Sequence, residues 1–496
     1  MRKIYTTSTL LILIAATGCS DFLDEKFQGG YTTDNFYRTE AQALTALTGA
    51  YRITAFSTTD NSLWVFGDVA SDDAIKGEAG SDFGQIQSLE QFDYSRDNGY
   101  LERMWQHYYE GITRVNYLLY NRDNIEMDAA LKDRIMGEAR FLRAYFYFNL
   151  VNIYGEIPLK TQPPLNPELI NIGVSPVSEI YEQIEADLLA AKDVLPDSYI
   201  APDIGRATKG AAWGLLAKAR LYQGKWQAAL TAVDSLQAIG IYALEPVYKN
   251  NFIDSTQNND ESIFEIQHLG NLDPATGSHL NQHFLPKIQN GYAVNIPTQN
   301  FVSEFEVTDE DVVDPRLDYS VGRAGQLWIN GEVFDPGWSP VTGYISRKHL
   351  QPKKKAPAAA DASLNYVYLR YADILLIKAE SLNELNRVAE AIVPLNAVRT
   401  RARESYLFDV DLPGSGTIPD DLLPDVTTTI QSEVRTAIKH ERRVELGLEF
   451  HRYFDLMRYG QTEAEAALSD VGFNYATDRY FLIPQSEVDA NTQIDE

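Results

Sequence analysis

Two stretches of this chain carry the same pattern 160 positions apart: Leu215-Leu216-x-Lys218-Ala219 and Leu375-Leu376-x-Lys378-Ala379. Around the first, apolar residues recur at helical spacing over Ala207 to Tyr222. Gly224-Lys225 makes a turn, and a second helix is predicted from Trp226 to Ile239. Small residues at Ala211, Ala212, Ala217, Ala219, Ala228 and Ala229 let the two helices approach closely. This is the helix-turn-helix unit of a tetratricopeptide-like repeat, and a second copy is predicted over 366 to 402. One such pair cannot bury its own apolar face, so pairs must stack on each other. Further helices are predicted from Thr39, over 104 to 120, 131 to 153, 177 to 194, 429 to 446 and 449 to 459. The 131 to 153 segment is apolar on nearly every side, which places it between neighbours. The expected fold is therefore mainly α, a tetratricopeptide-like helix-pair scaffold.

The helical period lapses twice. Residues 57 to 100 are rich in Ser, Thr, Asp, Gly and Gln with isolated aromatics, and read as a long irregular loop. Residues 240 to 365 read as an irregular loop-rich lobe containing short strands, with β-like runs at Ser262 to Gln267, Gln326 to Ile329 and Tyr344-Ile345. A proline-rich connector over 156 to 176, a loop over 403 to 428 and a strand-like tail from Arg479 to Pro484 complete the pattern. The expected organisation is an N-terminal helical part over 39–239 carrying the 57–100 loop, the lobe over 240–365, and a C-terminal helical part over 366–496.

Ahead of these lies a segment with export character. Arg2 and Lys3 precede the apolar run Leu10 to Ile14, and small residues lead to Cys19, so 1–18 reads as a signal peptide. That run is shorter than the roughly 20 residues a bilayer span needs. Cys19 is the only cysteine among 496 residues, which excludes internal disulfides and cysteine-based zinc sites. Its position just after the signal resembles a bacterial lipobox. Residues 19–38 are then a lipid-anchored tether. A net charge of −27 and an isoelectric point near 4.7 disfavour nucleic acid as a partner.

Catalytic signatures are missing: no phosphate-binding loop, no G-x-S-x-G elbow and no dinucleotide fingerprint. His279 and His283 stand four apart, but the residues between them include no glutamate base and their context reads as loop, so no metal site is assigned. Asp72-Asp73 and Asp309-Glu310-Asp311 could bind calcium or act as acid and base; the preferred reading is solvated acidic loop. Lys353-Lys354-Lys355 reads as solvated loop too. Glu441, Arg442, Arg443 and Glu445, followed by Arg452, Asp455 and Arg458, are expected to form structural ion pairs between helices. What remains is a set of loop aromatics with polar neighbours. Tyr94, Asn98, Tyr100, Trp328 and Trp338 are the candidate ligand-binding residues, offering flat faces for sugar rings and groups to bond hydroxyls.

Several motifs, in order, resemble the SusD/RagB family of Bacteroidetes outer-membrane nutrient-binding lipoproteins. They include Cys19-Ser20-Asp21-Phe22-Leu23-Asp24, Trp105-x-x-Tyr108 with Ile112 and Asn116, and Gly137-Glu138-Ala139-Arg140-Phe141-Leu142-Arg143-Ala144. Tyr154-Gly155-x-Ile157-Pro158, Gly205 to Ala212, Leu369-Arg370-Tyr371-Ala372-Asp373 and Glu441-Arg442-Arg443-x-Glu445-Leu446 continue the series, which ends at Ile483-Pro484-x-x-Glu487. The resemblance implies four tetratricopeptide-like helix pairs supporting a ligand-binding lobe. It implies a non-catalytic, surface-exposed lipoprotein of the outer membrane, sitting as a lid on a TonB-dependent transporter barrel and binding an oligosaccharide without a cofactor. A surface glycoside hydrolase is the alternative of a different class, because the spacing of a carboxylate pair is set in three dimensions. A peptide-capturing member of the same family, or a scaffold binding only protein, stays open as well.

Overall fold

The structure is a computed structural model and describes residues 36–77, 82–273 and 275–494. Cys19 and most of the tether lie outside the described residues.

Helices make the frame, and their ends follow the local chemistry. Helix α1 (Glu40–Tyr51) starts at a capping box in which Thr39 and Gln42 satisfy each other's backbone N–H groups. A short α2 (Gly84–Glu90) follows. Asn98 caps α3 (Gly99–Tyr120) and Asp128 caps α4 (Ala129–Tyr154). Gly155, at φ 73°, takes the left-handed turn that stops α4. Then come α5 (Val177–Lys192), α6 (Lys209–Tyr222, capped by Thr208) and α7 (Trp226–Gln237). The C-terminal set is α8 (Tyr371–Glu384), α9 (Val388–Phe408), α10 (Gln431–Leu446) and α11 (Arg452–Tyr459).

Successive helices pack as a layer: α3 on α4, α4 on α5, α5 on α6, α6 on α7, and then α7 on α8, α8 on α9 and α10. The two predicted repeat units thus meet through α7 and α8. The alanines of α6 are buried, and Gly214 lies so close to the strand residue Leu369 that a Cβ would approach its Cδ2 to 2.5 Å. Helix α4 is buried over most of its circumference, as its apolar sequence predicts.

Among the described residues, six short strands pair in twos. They are β1 (Ala74–Gly77), β2 (Ser262–Ile266), β3 (Val294–Pro297), β4 (Val321–Gly322), β5 (Ile345–Ser346) and β6 (Tyr366–Arg370). The pairs β1–β3, β2–β6 and β4–β5 are all antiparallel.

Four expectations about secondary structure need correction. The second repeat unit does not begin as helix at 366: Tyr366–Arg370 is β6, whose alternating aromatic and aliphatic residues pair with β2 before the chain enters α8. Gln326 to Ile329 is a turn, closed by a bridge between Leu327 and Val333. The tail is not a strand; it docks through the Phe481 N–H to the Ile153 carbonyl at 2.8 Å, with the Phe481 ring buried. The 57–100 segment is less irregular than its composition suggests. It holds a π-helical turn (Val65–Val69), β1 and α2, each too short to show a period.

The charged helix residues do form ion pairs, but mainly with distant segments. Arg442 bonds Asp373 at 2.8 Å, Arg443 bonds Asp73 at 2.7 Å, and Arg452 bonds Asp72 at 2.7 Å. Asp72 and Asp73 are therefore buried partners of arginine rather than a solvated acidic loop. Deeper, Arg316, Arg370 and Arg401 surround Glu445, with Glu261, Glu441 and Glu449 completing the cluster. Such networks specify a unique arrangement more than they add net stability.

Candidate functional site

The 57–100 segment and the 240–365 segment meet at one surface. Two contacts join them directly, and ion pairs from the C-terminal helices brace the first. β1 pairs with β3, the Arg443 and Arg452 ion pairs hold Asp73 and Asp72 immediately before β1, and Lys287 reaches Asp82 at 3.3 Å. The Lys76 backbone N–H donates to the Glu90 carboxylate at 2.6 Å, which ties α2 to β1.

On this base an aromatic ladder climbs from core to solvent. Trp64 is buried, and its ring centroid lies 5.4 Å from that of His283. His283 lies 5.7 Å from Tyr292, and Tyr292 lies 5.4 Å from Phe83. Tyr292 is 36% exposed and Phe83 half-buried, so the top of the ladder faces solvent. Local backbone sets both tips. Phe83 adopts φ 55° just before α2. Tyr292 follows Gly291, where a Cβ would meet the Leu285 carbonyl oxygen at 1.9 Å, so only glycine fits. His279 and His283 flank one face of a short helix, Leu280–Phe284, rather than a loop. Burial lowers the His283 pKa to about 4, leaving a neutral ring that serves as a rung. Among the described residues no group of three or more His, Cys, Asp or Glu is placed to hold a metal.

A second aromatic group stands beside the ladder. Trp328 donates its indole N–H to Gln289 Oε1 at 3.0 Å and packs against Phe334 (5.4 Å) and Trp338 (6.3 Å). Gly322 makes room for it, since a Cβ there would meet the Trp328 ring at 2.5 Å. Trp338 is half-buried.

The five sequence candidates divide by placement. Tyr100 is half-buried with the Arg103 guanidinium 4.5 Å over its ring, and Trp338 keeps part of its face open. Trp328 is only 2% exposed, so it supports Trp338 and Gln289 instead of meeting a ligand. Asn98 is likewise buried. Its Oδ1 accepts the Tyr100 N–H, and its Nδ2 donates to the Gln85 carbonyl and the Ser88 hydroxyl, so direct ligand contact is corrected to a capping role. Tyr94 turns toward the tail and packs on Phe481 at 5.6 Å, away from the other candidates. Sequence reasoning passed over Tyr292 and Arg103. The signal for Tyr292 was present in Asn290-Gly291, a turn dipeptide that lifts the next side chain. Arg103 lay one residue ahead of the helix predicted over 104 to 120, which in fact starts at Gly99, and carried no signal of its own.

The arrangement can stack apolar ring faces on Phe83 and Tyr292 and can bond hydroxyls with amide and guanidinium groups. The carboxylate adjoining it, Asp82, is engaged by Lys287. Among the described residues no helix is long and apolar enough to cross a membrane.

Comparison with known proteins agrees along the chain. Residues 260–495 match the family described as SusD family, and residues 21–221 match one described as starch-binding associating with outer membrane. A SusD-like protein of Formosa agariphila is 26% identical over 92% of this chain and 91% of its own length. Among solved structures, a laminarin binding SusD-like protein is 28% identical with a TM-score of 0.76, covering 92% of this chain and 99% of that one. A SusD-like carbohydrate binding protein from Bacteroides fragilis is 25% identical with a TM-score of 0.79, covering 93% and 100%.

Proposed function

We propose, from the premise that this chain belongs to the SusD/RagB family, that it captures an oligosaccharide at the cell surface without cleaving it. The observation that carries the reading is the solvent-facing pair Phe83 and Tyr292, held where the two irregular segments meet. Stacking on such faces is the chemistry of sugar recognition, and Arg103 near the start of α3 and Gln289 just before Tyr292 supply polar groups. Relatives named for laminarin and carbohydrate binding support it. The chain would be lipid-anchored at Cys19 to the outer membrane and act as the lid of a TonB-dependent transporter barrel.

Affinity electrophoresis against a glycan panel that includes laminarin tests the capture. Retardation by at least one glycan is expected, and Tyr292→Ala should weaken it roughly tenfold, as removal of a central aromatic anchor does. No retardation by any glycan would overturn the reading. New reducing ends after incubation with the bound glycan would instead favour the glycoside hydrolase. Cys19→Ala should leave glycan affinity unchanged while releasing the protein from the membrane fraction; unchanged membrane association would remove the anchor from the proposal. Co-purification with a β-barrel transporter from outer-membrane extracts tests the partner.

A further inference from the structure

Behind the second aromatic group lies a cleft of about 250 Å³ whose wall includes Lys249, Tyr319, Ile329, Arg347, Gln351 and Lys355. Ile329 adjoins Trp328 in the chain, so the cleft abuts the group that carries Trp338. Asp254 lines it too, but its carboxylate is held by Lys355. The Arg347 guanidinium makes one hydrogen bond, from Nη1 to the Asp318 carbonyl at 2.5 Å. Among the described residues no carboxylate lies within ion-pair distance of it. This differs from the buried arginines of the scaffold, Arg316, Arg370 and Arg442, each of which holds carboxylates.

Gln351 supplies a second unused donor. Its Oε1 accepts the Ser363 N–H at 2.8 Å, which fixes the orientation of the amide, and its Nε2 is then buried with no partner. The residue is only 3% exposed. A buried amide donor left without an acceptor costs on the order of 1–3 kcal/mol, so the site is incomplete as it stands. The acceptors nearby are already consumed. Asp409 and Asp411 hold Lys249 at 2.6 Å each, Tyr319 donates to Asp409, and Asp254 holds Lys355 at 2.5 Å. Burial also lowers the Arg347 pKa, against the opposing pull of Asp318, Asp409 and Asp411, none of which pairs with it directly. An oxyanion answers all of these features. It accepts from the planar guanidinium fork in two places and takes the Gln351 N–H as well. The volume lies below the 300–1,000 Å³ usual for drug-sized ligands, which suits a single acidic sugar.

We propose that this cleft is an acidic-sugar subsite, in which Arg347 and Gln351 bind the carboxylate of a uronic acid or the sulfate ester of a sulfated sugar. The assignment rests on the glycan-capture reading and narrows its ligand to a glycan with anionic substituents.

Calorimetry on the full chain, with glucuronate, galactose 6-sulfate, glucose and sodium sulfate as separate probes, tests it. Crystals soaked in the same compounds locate the site. Both acidic sugars should bind in the cleft and glucose should not. Arg347→Met should weaken both by tenfold or more, Arg347→Lys should recover little because the fork is lost, and Gln351→Leu should weaken them severalfold. The proposal is overturned if neither acidic sugar binds, if Arg347→Met binds them as the unaltered protein does, or if inorganic sulfate binds as tightly as the sugars. Should Arg347→Met fail to fold, Gln351→Leu and the soaked crystals decide. Tyr292→Ala leaves acidic-sugar binding intact in this scheme. Failure of the unaltered protein to bind laminarin or any other neutral glycan therefore counts against the aromatic platform alone, and its failure to bind glucuronate counts against the cleft alone.

Discussion

Asp68 is a fully buried residue of the π-helical turn, and its carboxylate accepts the Phe450 N–H at 2.9 Å and an Asn295 amide N–H at 3.1 Å. Burial pushes its pKa up to about 8. Asn295 Oδ1 has no partner, and a half-turn of that amide would offer the oxygen to a proton on Asp68. Because the folded state holds this proton more tightly than the unfolded chain, the group favours folding below its ordinary pKa near 4. That contribution fades as pH rises toward 8. Asp68→Asn is neutral throughout and loses the dependence. Its stability relative to the unaltered protein should therefore increase between pH 5 and pH 8.5, by roughly 2 to 4 kcal/mol. Urea titrations at the two pH values check this, and a difference that stays flat would show that Asp68 is ionised in the folded state. Glu449 shifts the other way: Arg370 and Lys348 overcome its burial and hold it down to about 2. It supports folding above pH 4.5 and stops doing so as pH falls toward 2.

At the scale of elements, the proposed ligand surface depends on contacts at which a β-carbon is one atom too many. Gly67, within the π-helical turn, faces the Phe450 backbone, where a Cβ would come within 2.3 Å of the carbonyl oxygen. This contact presses the Val65–Val69 turn onto the segment between α10 and α11. Arg443 and Arg452 then secure the next few residues through Asp73 and Asp72. Gly67→Ala cannot be absorbed by a side-chain rotation, because the obstacle is backbone. It should destabilise the fold by about 1–3 kcal/mol, the usual cost of overpacking, and should weaken glycan binding by displacing β1 and α2. Thermal melts and glycan titration of the same variant measure the two effects. A variant that melts normally but binds poorly would place the strain in the loop rather than the core.

The whole molecule is bound together across its sequence halves. Tyr145 packs on Tyr368 at 4.7 Å, Phe56 on Tyr366 at 5.1 Å, and Lys218 bonds Asp373 at 3.1 Å with both side chains buried. Cutting the chain near residue 240 would expose these rings and leave buried charges without partners, at a cost of several kcal/mol for each broken pair. Segments 36–240 and 241–494, produced separately, should give no cooperative unfolding transition, and mixing them should restore one. Calorimetry decides. Two independent transitions from the isolated halves would mean that the interface between them is dispensable.

The helical scaffold is legible in the order of residues alone, because a 3.6-residue apolar period is a local property repeated over many turns. The Leu-Leu-x-Lys-Ala repeats, the Ala-lined pair α6–α7 and the all-round burial of α4 were legible for that reason. So was the purpose of the Glu441 to Arg458 charges as ion pairs. Only the tertiary structure decided which charges they meet, since Arg443 finds Asp73 some 370 positions away. The same holds at the proposed ligand surface. Tyr94, Asn98, Tyr100, Trp328 and Trp338 look alike in sequence, as aromatics or amides in polar loops. Whether a face opens to solvent depends on what packs behind it. Phe481 takes Tyr94, Gln85 and Ser88 take Asn98, and Gly322 and Phe334 enclose Trp328. Tyr292 gained its exposed position from a ladder of rings drawn from three separate segments, and no local pattern in the chain encodes that meeting.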